Sequence, residues 1–209
     1  GFSNATCPPQ PSSTKAPTIL PIEHYNDRLA MLKPWYHIFK PQGEGPYPTV
    51  VYFHSGEGGD EGFNDQTKRK VNKIVNEGYA VLFVEAFASR GGVKPRCLYP
   101  SEAADDVLVS FDWVYKQPWV DKNRIALFGN SFGGGTIMDA LSSLTANKAL
   151  VSLANAKAVI LKEPFCMEDQ GVKFFYWVRV LNSWEDNFNV KVPTLVTQGT
   201  SDEYYSACK

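Results

Sequence analysis

Short apolar segments alternate with amphipathic segments along most of the chain. The apolar segments predict buried strands, at residues 35–41, 49–53, 80–84, 124–128, 158–161 and 194–197. Apolar residues at helical spacing predict helices over residues 63–77, from an N-cap at Ser101, and directly after Ser131. Strands that alternate with helices in this way predict a doubly wound, mostly parallel α/β sheet with helices on both faces.

The domain organisation follows from length and local composition. With 209 residues, of which 44% are hydrophobic, the chain is long enough for one domain with a full core. Residues 1–21 are rich in Ser, Thr and Pro and are expected to form an extended N-terminal arm. Residues 22–209 are expected to form the α/β domain, with neither an internal repeat nor an interdomain linker.

Charge and motif content exclude several functions. A net charge of −1 gives no electrostatic basis for binding nucleic acid, and no apolar run approaches the roughly 20 residues that span a bilayer. The sequence carries no phosphate-binding loop, no dinucleotide fingerprint and no cluster with metal-ligand spacing. We therefore expect neither a cofactor nor a metal, and the sequence leaves the oligomeric state open.

The most informative motif is Gly-Asn-Ser-Phe-Gly at residues 129–133. It lies between a predicted strand and a predicted helix, so the chain must turn sharply through small residues at Ser131. Such a turn holds the central side chain in a strained, exposed position and directs the helix N-terminus toward its target. The motif therefore predicts a nucleophilic serine at Ser131.

Further segments match in the order expected of a known fold. They are TVVYFHSG at residues 49–56, QPWVD at 117–121 followed by Arg124-Ile125, the Ser131 motif, and PTLVTQGTSD at 193–202. Over about residues 30–208 the chain resembles the α/β-hydrolase fold and, within it, the dienelactone-hydrolase-like family. The namesake enzymes use a cysteine nucleophile, and Ser131 in its place favours ordinary ester hydrolysis.

The resemblance implies a set of site residues. Ser131 would attack small esters or lactones and form an acyl-enzyme, as in a carboxylesterase. Asp202 would be the acid that orients a histidine base. The backbone N–H of Phe132 would be one oxyanion donor, and that of Ser55 or Gly56 the second.

The histidine base is not found among the three histidines present. His24, His37 and His54 all precede Ser131, whereas the family places the base after a further strand beyond Asp202, and His54 is expected to be structural. Three explanations stay open: the chain is a fragment, a second polypeptide supplies the histidine, or the protein is a non-catalytic binding or scaffold relative. We favour a C-terminally incomplete fragment that is inactive in this 209-residue form.

Other polar and aromatic groups have a structural and a functional interpretation. Glu57 is interpreted as part of a solvated loop, with lining the pocket as the alternative. Arg90 and Arg96 are candidates for binding a substrate carboxylate. The aromatic residues at 174–177 and Trp184 form either core packing or a wall over Ser131.

The four cysteines bear on the compartment. They have no spacing typical of zinc, and an even number is compatible with two disulfides in a periplasmic or secreted protein. Some exported members of the resembled family carry cysteines at the places of Cys166 and Cys208, and this resemblance implies a Cys166–Cys208 disulfide. Cys7 and Cys97 remain as a second pair, and four reduced thiols are the alternative.

Overall fold

A six-stranded sheet organises the computed structural model, which describes residues 22–56, 63–92, 98, 100–144, 153–164 and 192–199. The strands lie in the order β1-β3-β2-β4-β5-β6, and β1 is antiparallel to β3 whereas all other pairs are parallel. Their bounds are β1 Tyr36–Phe39, β2 Tyr47–Phe53, β3 Ala80–Val84, β4 Val120–Asn130, β5 Ala158–Lys162 and β6 Thr194–Thr197. The predicted doubly wound, mostly parallel sheet is confirmed. The predicted arm, residues 1–21, lies outside the described residues.

Helices cover both faces of this sheet, because the central strands are apolar on both sides. The helices are α1 Ile22–Leu32, α2 Asp65–Asn76, α3 Pro100–Tyr115 and α4 Phe132–Leu144. Leu82 and Val84 of β3 face the larger core, which α1, α3 and α4 share. Val81 and Phe83, the alternate residues of the same strand, pack against α2 through Val71. Every residue of β3 is buried as a result.

The helix ends follow local capping chemistry. The Asn64 side chain accepts a hydrogen bond from the Thr67 N–H at 2.9 Å and so caps α2. Gly78, with φ at +87°, ends that helix as predicted. The predicted start of α3 was two residues too late: the helix begins at Pro100, so Ser101 lies in its first turn and is not the N-cap. Proline suits that first position because its missing N–H would have no intrahelical acceptor.

Helix α1 was not predicted from the sequence pattern. The structure places His24 on α1, exposed to solvent. Long-range contacts hold this helix: the Tyr25 hydroxyl donates to Asp112, and Arg28 pairs with Asp106 on α3. Leu32 is completely buried in the larger core. Tertiary contacts of this kind leave no local signal in the sequence.

A buried aspartate on α4 makes folding depend on pH. Burial raises the pKa of Asp139 to about 7, and the residue is only 3% exposed. The unfolded chain loses this proton near pH 4, whereas the folded protein keeps it until about pH 7. The folded state therefore binds more protons in this window, and stability falls as the pH rises through it.

We expect Asp139→Asn to remove this dependence. Between pH 5 and pH 8, the free energy of unfolding of wild type, measured with urea, should fall by about 2–3 kcal/mol more than that of the variant. Burial also raises the pKa of Asp105, to about 6, and this slope stays in both proteins. The matched control is Asp27→Asn, at an exposed aspartate of α1. Its free energy of unfolding should change between pH 5 and pH 8 by as much as that of wild type. Equal slopes for wild type and Asp139→Asn would contradict this assignment.

Candidate active site

The chain turns from β4 into α4 at Ser131. Ser131 has φ at +48°, a left-handed conformation that is unfavourable for a residue with a Cβ. Residues held in this way cluster at functional sites, because the surrounding structure must enforce them. The turn predicted from the motif is present, and the catalytic role of Ser131 stays a prediction.

Glycines make this turn possible through close backbone packing. A Cβ at Gly129 would lie 2.6 Å from the carbonyl oxygen of Gly133. A Cβ at Gly133 would lie 2.3 Å from the carbonyl oxygen of Phe53, at the end of β2. A Cβ at Gly134 would lie 2.9 Å from Cα of Pro164. Residues without a side chain are therefore required where β2, β4 and α4 meet.

Two backbone hydrogen bonds fix the turn against neighbouring strands. The Ser131 N–H donates to the Lys162 carbonyl at the end of β5, at 3.0 Å. The Gly133 N–H donates to the His54 carbonyl after β2, also at 3.0 Å. Between them lies the N–H of Phe132, which as the first residue of α4 has no acceptor within the helix. This N–H and the positive end of α4 suit a developing oxyanion.

The loop after β2 adjoins the same helix terminus. The hydrogen bond from Gly133 holds His54 there, and Ser55 and Gly56 follow directly as half-buried residues. A second oxyanion donor is thus expected from the Ser55 or Gly56 N–H, since both belong to the segment that is fixed to α4.

His54 uses both of its ring nitrogens in local hydrogen bonds. Nδ1 lies 2.8 Å from the Ser55 carbonyl oxygen, and Nε2 lies 3.2 Å from the Ala86 backbone nitrogen. A carbonyl only accepts and an N–H only donates, so the proton sits on Nδ1 and the ring is neutral. Burial beside Phe83 and Phe87 lowers the pKa of His54. This geometry leaves neither nitrogen for accepting the Ser131 proton.

The two other histidines lie away from the turn. His37 lies on β1, and its Nε2 is 2.9 Å from Oε2 of Glu85. Strand β1 is three strands from β4, about 14 Å at the usual spacing between neighbours. His24 lies on α1 and is exposed. The three histidines of the chain therefore supply no base for Ser131.

Arg90, a candidate for binding a substrate carboxylate, is instead paired within the fold. Its Nη1 and Nη2 lie 2.8 Å and 2.9 Å from the two carboxylate oxygens of Asp106. Neither this pair nor the positive φ of +46° at Glu163, beside the Ser131 turn, was predicted from the sequence. The acidic pair Asp105-Asp106 within an apolar helix was the available signal.

Several predicted residues lie outside the described part of the chain. They are Asp202, Glu57, Arg96, the aromatic segment 174–177 with Trp184, and the cysteines Cys7, Cys97, Cys166 and Cys208. The acid role of Asp202, both disulfides and export to the periplasm or cell exterior stay predictions. Among the residues that the structure does describe, no group of His, Cys, Asp or Glu is arranged to hold a metal ion. None of the described helices has the length and apolar character that crossing a membrane requires.

A sequence model of the X-Pro dipeptidyl-peptidase (S15) family matches residues 4–160. The chain belongs to this family. Two Escherichia coli proteins, each described as an uncharacterized 31.7 kDa protein in the traX-finO intergenic region, are 26% identical to it over 169 residues. That alignment covers 78% of this S15-family chain and 56% of each relative, so the chain spans little more than half of their length.

Solved structures confirm the predicted α/β-hydrolase fold. Est1E from Butyrivibrio proteoclasticus, solved with ferulic acid bound, has a TM-score of 0.57 at 16% identity, over 83% of this chain and 78% of that chain. A Klebsiella pneumoniae protein assigned as a dienelactone hydrolase has a TM-score of 0.51 at 12% identity, over 83% and 82% of the two chains. At these identities the likeness is one of fold.

Proposed function

We propose that this protein is a serine hydrolase of the carboxylesterase type that cleaves small esters or lactones through an acyl-enzyme on Ser131. The observation that carries the proposal is the left-handed turn at Ser131, enforced where β2, β4 and α4 meet. Membership of a peptidase family and the α/β-hydrolase fold support hydrolytic chemistry at this position.

In the proposed mechanism the Ser131 hydroxyl attacks the substrate carbonyl while a histidine removes its proton. The oxyanion accepts hydrogen bonds from the Phe132 N–H and from Ser55 or Gly56. Loss of one such donor lowers kcat by roughly 10²–10³-fold in serine hydrolases. The leaving alcohol departs with the proton held by the histidine, and water then releases the acyl group by the reverse sequence.

We further propose that the histidine base is contributed from outside residues 1–209 and that Asp202 orients it. This proposal is supported by the surroundings of the three histidines in the chain. Both ring nitrogens of His54 are hydrogen-bonded, His37 lies on β1, three strands from β4, and His24 is exposed on α1. A chain limited to these residues would then keep Ser131 as a neutral alcohol and turn over esters far more slowly than the protein made from the complete coding sequence.

The family match favours a second candidate function, release of X-Pro dipeptides, through the same acyl-enzyme chemistry. The two are separated by comparing kcat/KM on p-nitrophenyl acetate, methyl ferulate and Gly-Pro-p-nitroanilide with the protein from the complete coding sequence. We expect turnover of the esters and little release of p-nitroaniline. Preference for the anilide would replace the esterase proposal with the peptidase, and turnover of none would favour a non-catalytic binding or scaffold protein.

A further inference from the structure

Arg90 connects a buried carboxylate to the loop that follows β3. The side chain of Asp106 is completely buried, and Arg90, 13% exposed, binds both of its oxygens. Bidentate, charge-assisted pairs of this kind hold both side chains in one geometry. Arg28 also pairs with Asp106, through a single contact of 3.1 Å, and its side chain is 20% exposed.

The same arginine also binds Ala86, the residue whose N–H contacts His54. Nη1 of Arg90 donates to the Ala86 carbonyl at 2.9 Å, and Oγ of Ser89 donates to that carbonyl at 2.8 Å. On its other side, the Ala86 N–H donates to Nε2 of His54. The His54 carbonyl in turn accepts the Gly133 N–H at the start of α4. Hydrogen bonds thus link Asp106, Arg90, Ala86 and His54 in turn to Gly133, next to the Ser131 turn.

Aromatic packing makes a second connection between the same segments. The ring of Phe87, next to Ala86, lies with its centroid 4.9 Å from that of Phe132 and 5.0 Å from that of His54. The Arg90 N–H donates to the Phe87 carbonyl at 3.1 Å, so the arginine backbone belongs to the same turn. Phe87 and Phe132 are buried together in a small apolar cluster.

We propose that Arg90 is a positioning residue for the oxyanion hole. Anchored on Asp106, Arg90 holds Ala86 and the neighbouring Phe87 in place. Ala86 and Phe87 contact the His54 ring, and Phe87 also packs against Phe132. An oxyanion donor stabilises the transition state only within a narrow range of distances, so loosening this support lowers the rate of the chemical step. The role in catalysis rests on the proposed function, whereas the mechanical link between Arg90 and the turn does not.

The test compares Arg90→Met with Arg28→Met in the protein from the complete coding sequence. Each variant removes one cation from Asp106, but Arg90 alone of the two contacts Ala86. For Arg90→Met we expect kcat on p-nitrophenyl acetate to fall about 10- to 100-fold with little change in KM, because a displaced donor acts on the transition state. Arg28→Met should keep kcat within about threefold of wild type.

Amide exchange followed by nuclear magnetic resonance gives a readout that does not require activity. The Gly133 and Ala86 amide protons should exchange faster in Arg90→Met than in Arg28→Met. Equal exchange, or an equal loss of kcat in both variants, would overturn the proposal and leave Arg90 a purely structural role. If the wild-type protein did not turn over esters, only the proposed function would be refuted. The amide exchange rates would still test whether Arg90 supports the Ser131 turn.

A conservative variant covers the case in which Arg90→Met does not fold. Arg90→Lys keeps the positive charge beside Asp106 but cannot bind both of its oxygens and the Ala86 carbonyl together. We expect it to fold, with kcat below that of Arg28→Met. Full kcat and wild-type exchange in Arg90→Lys would overturn the proposal, since charge alone would then suffice.

Discussion

Replacing Ser131 with alanine is expected to lower kcat for ester hydrolysis by roughly 10⁶-fold, the effect that loss of the nucleophile has in the serine protease subtilisin. The loss follows because the acyl-enzyme cannot form without the hydroxyl, whereas the turn itself persists. Steady-state turnover of p-nitrophenyl acetate by the protein from the complete coding sequence measures it. The matched control is Ser110→Ala, a buried serine of α3 that is hydrogen-bonded to Tyr36. Ser131→Ala with a kcat like that control would place the nucleophile elsewhere.

Replacing Gly133 with alanine is expected to cost about 3 kcal/mol or more of the free energy of unfolding. The added Cβ would lie 2.3 Å from the Phe53 carbonyl oxygen and 2.8 Å from that of His54, both backbone atoms that cannot rotate away. The strand end and α4 must therefore separate, which also displaces the Ser131 turn. Chemical denaturation gives the loss, with activity of the folded fraction as a second readout.

Gly78→Ala is the matched control for that loss. Its Cβ would meet nothing within 4 Å, but its φ of +87° strains any residue other than glycine. The expected cost is about 1 kcal/mol, the usual penalty for a left-handed residue with a side chain. A loss at Gly133 no larger than at Gly78 would show that the crowding around the turn relaxes easily.

The sequence was sufficient for the sheet and for the Ser131 turn because both leave local patterns. Residues 80–84 form a continuous apolar run, which is typical of a strand covered on both faces. The turn leaves a recognisable Gly-x-Ser-x-Gly motif because a Cβ at Gly129 or Gly133 would press against backbone. Strand β4 extends further than predicted, from Val120 through a polar stretch, because its pairing with β2 is set by tertiary contacts.

The supporting structure around the turn could not be predicted because its partners are far apart in sequence. Asp106 within an apolar helix indicates that a partner is needed, but nothing in the sequence identifies Arg90 as that partner. The conformation of Glu163 was equally hidden, since a residue before a proline normally adopts an extended backbone. The strand pattern of β1 likewise carries no information on its antiparallel direction.

The most direct test of the central claim is to locate a covalent adduct. The protein from the complete coding sequence is treated with a fluorophosphonate, digested with trypsin and mapped by mass spectrometry. The expected result is one adduct in the peptide of residues 125–148, with fragment ions that place it on Ser131 rather than on Ser142 or Ser143. Absence of an adduct, or an adduct on any other residue, would contradict the assignment of Ser131 as the nucleophile.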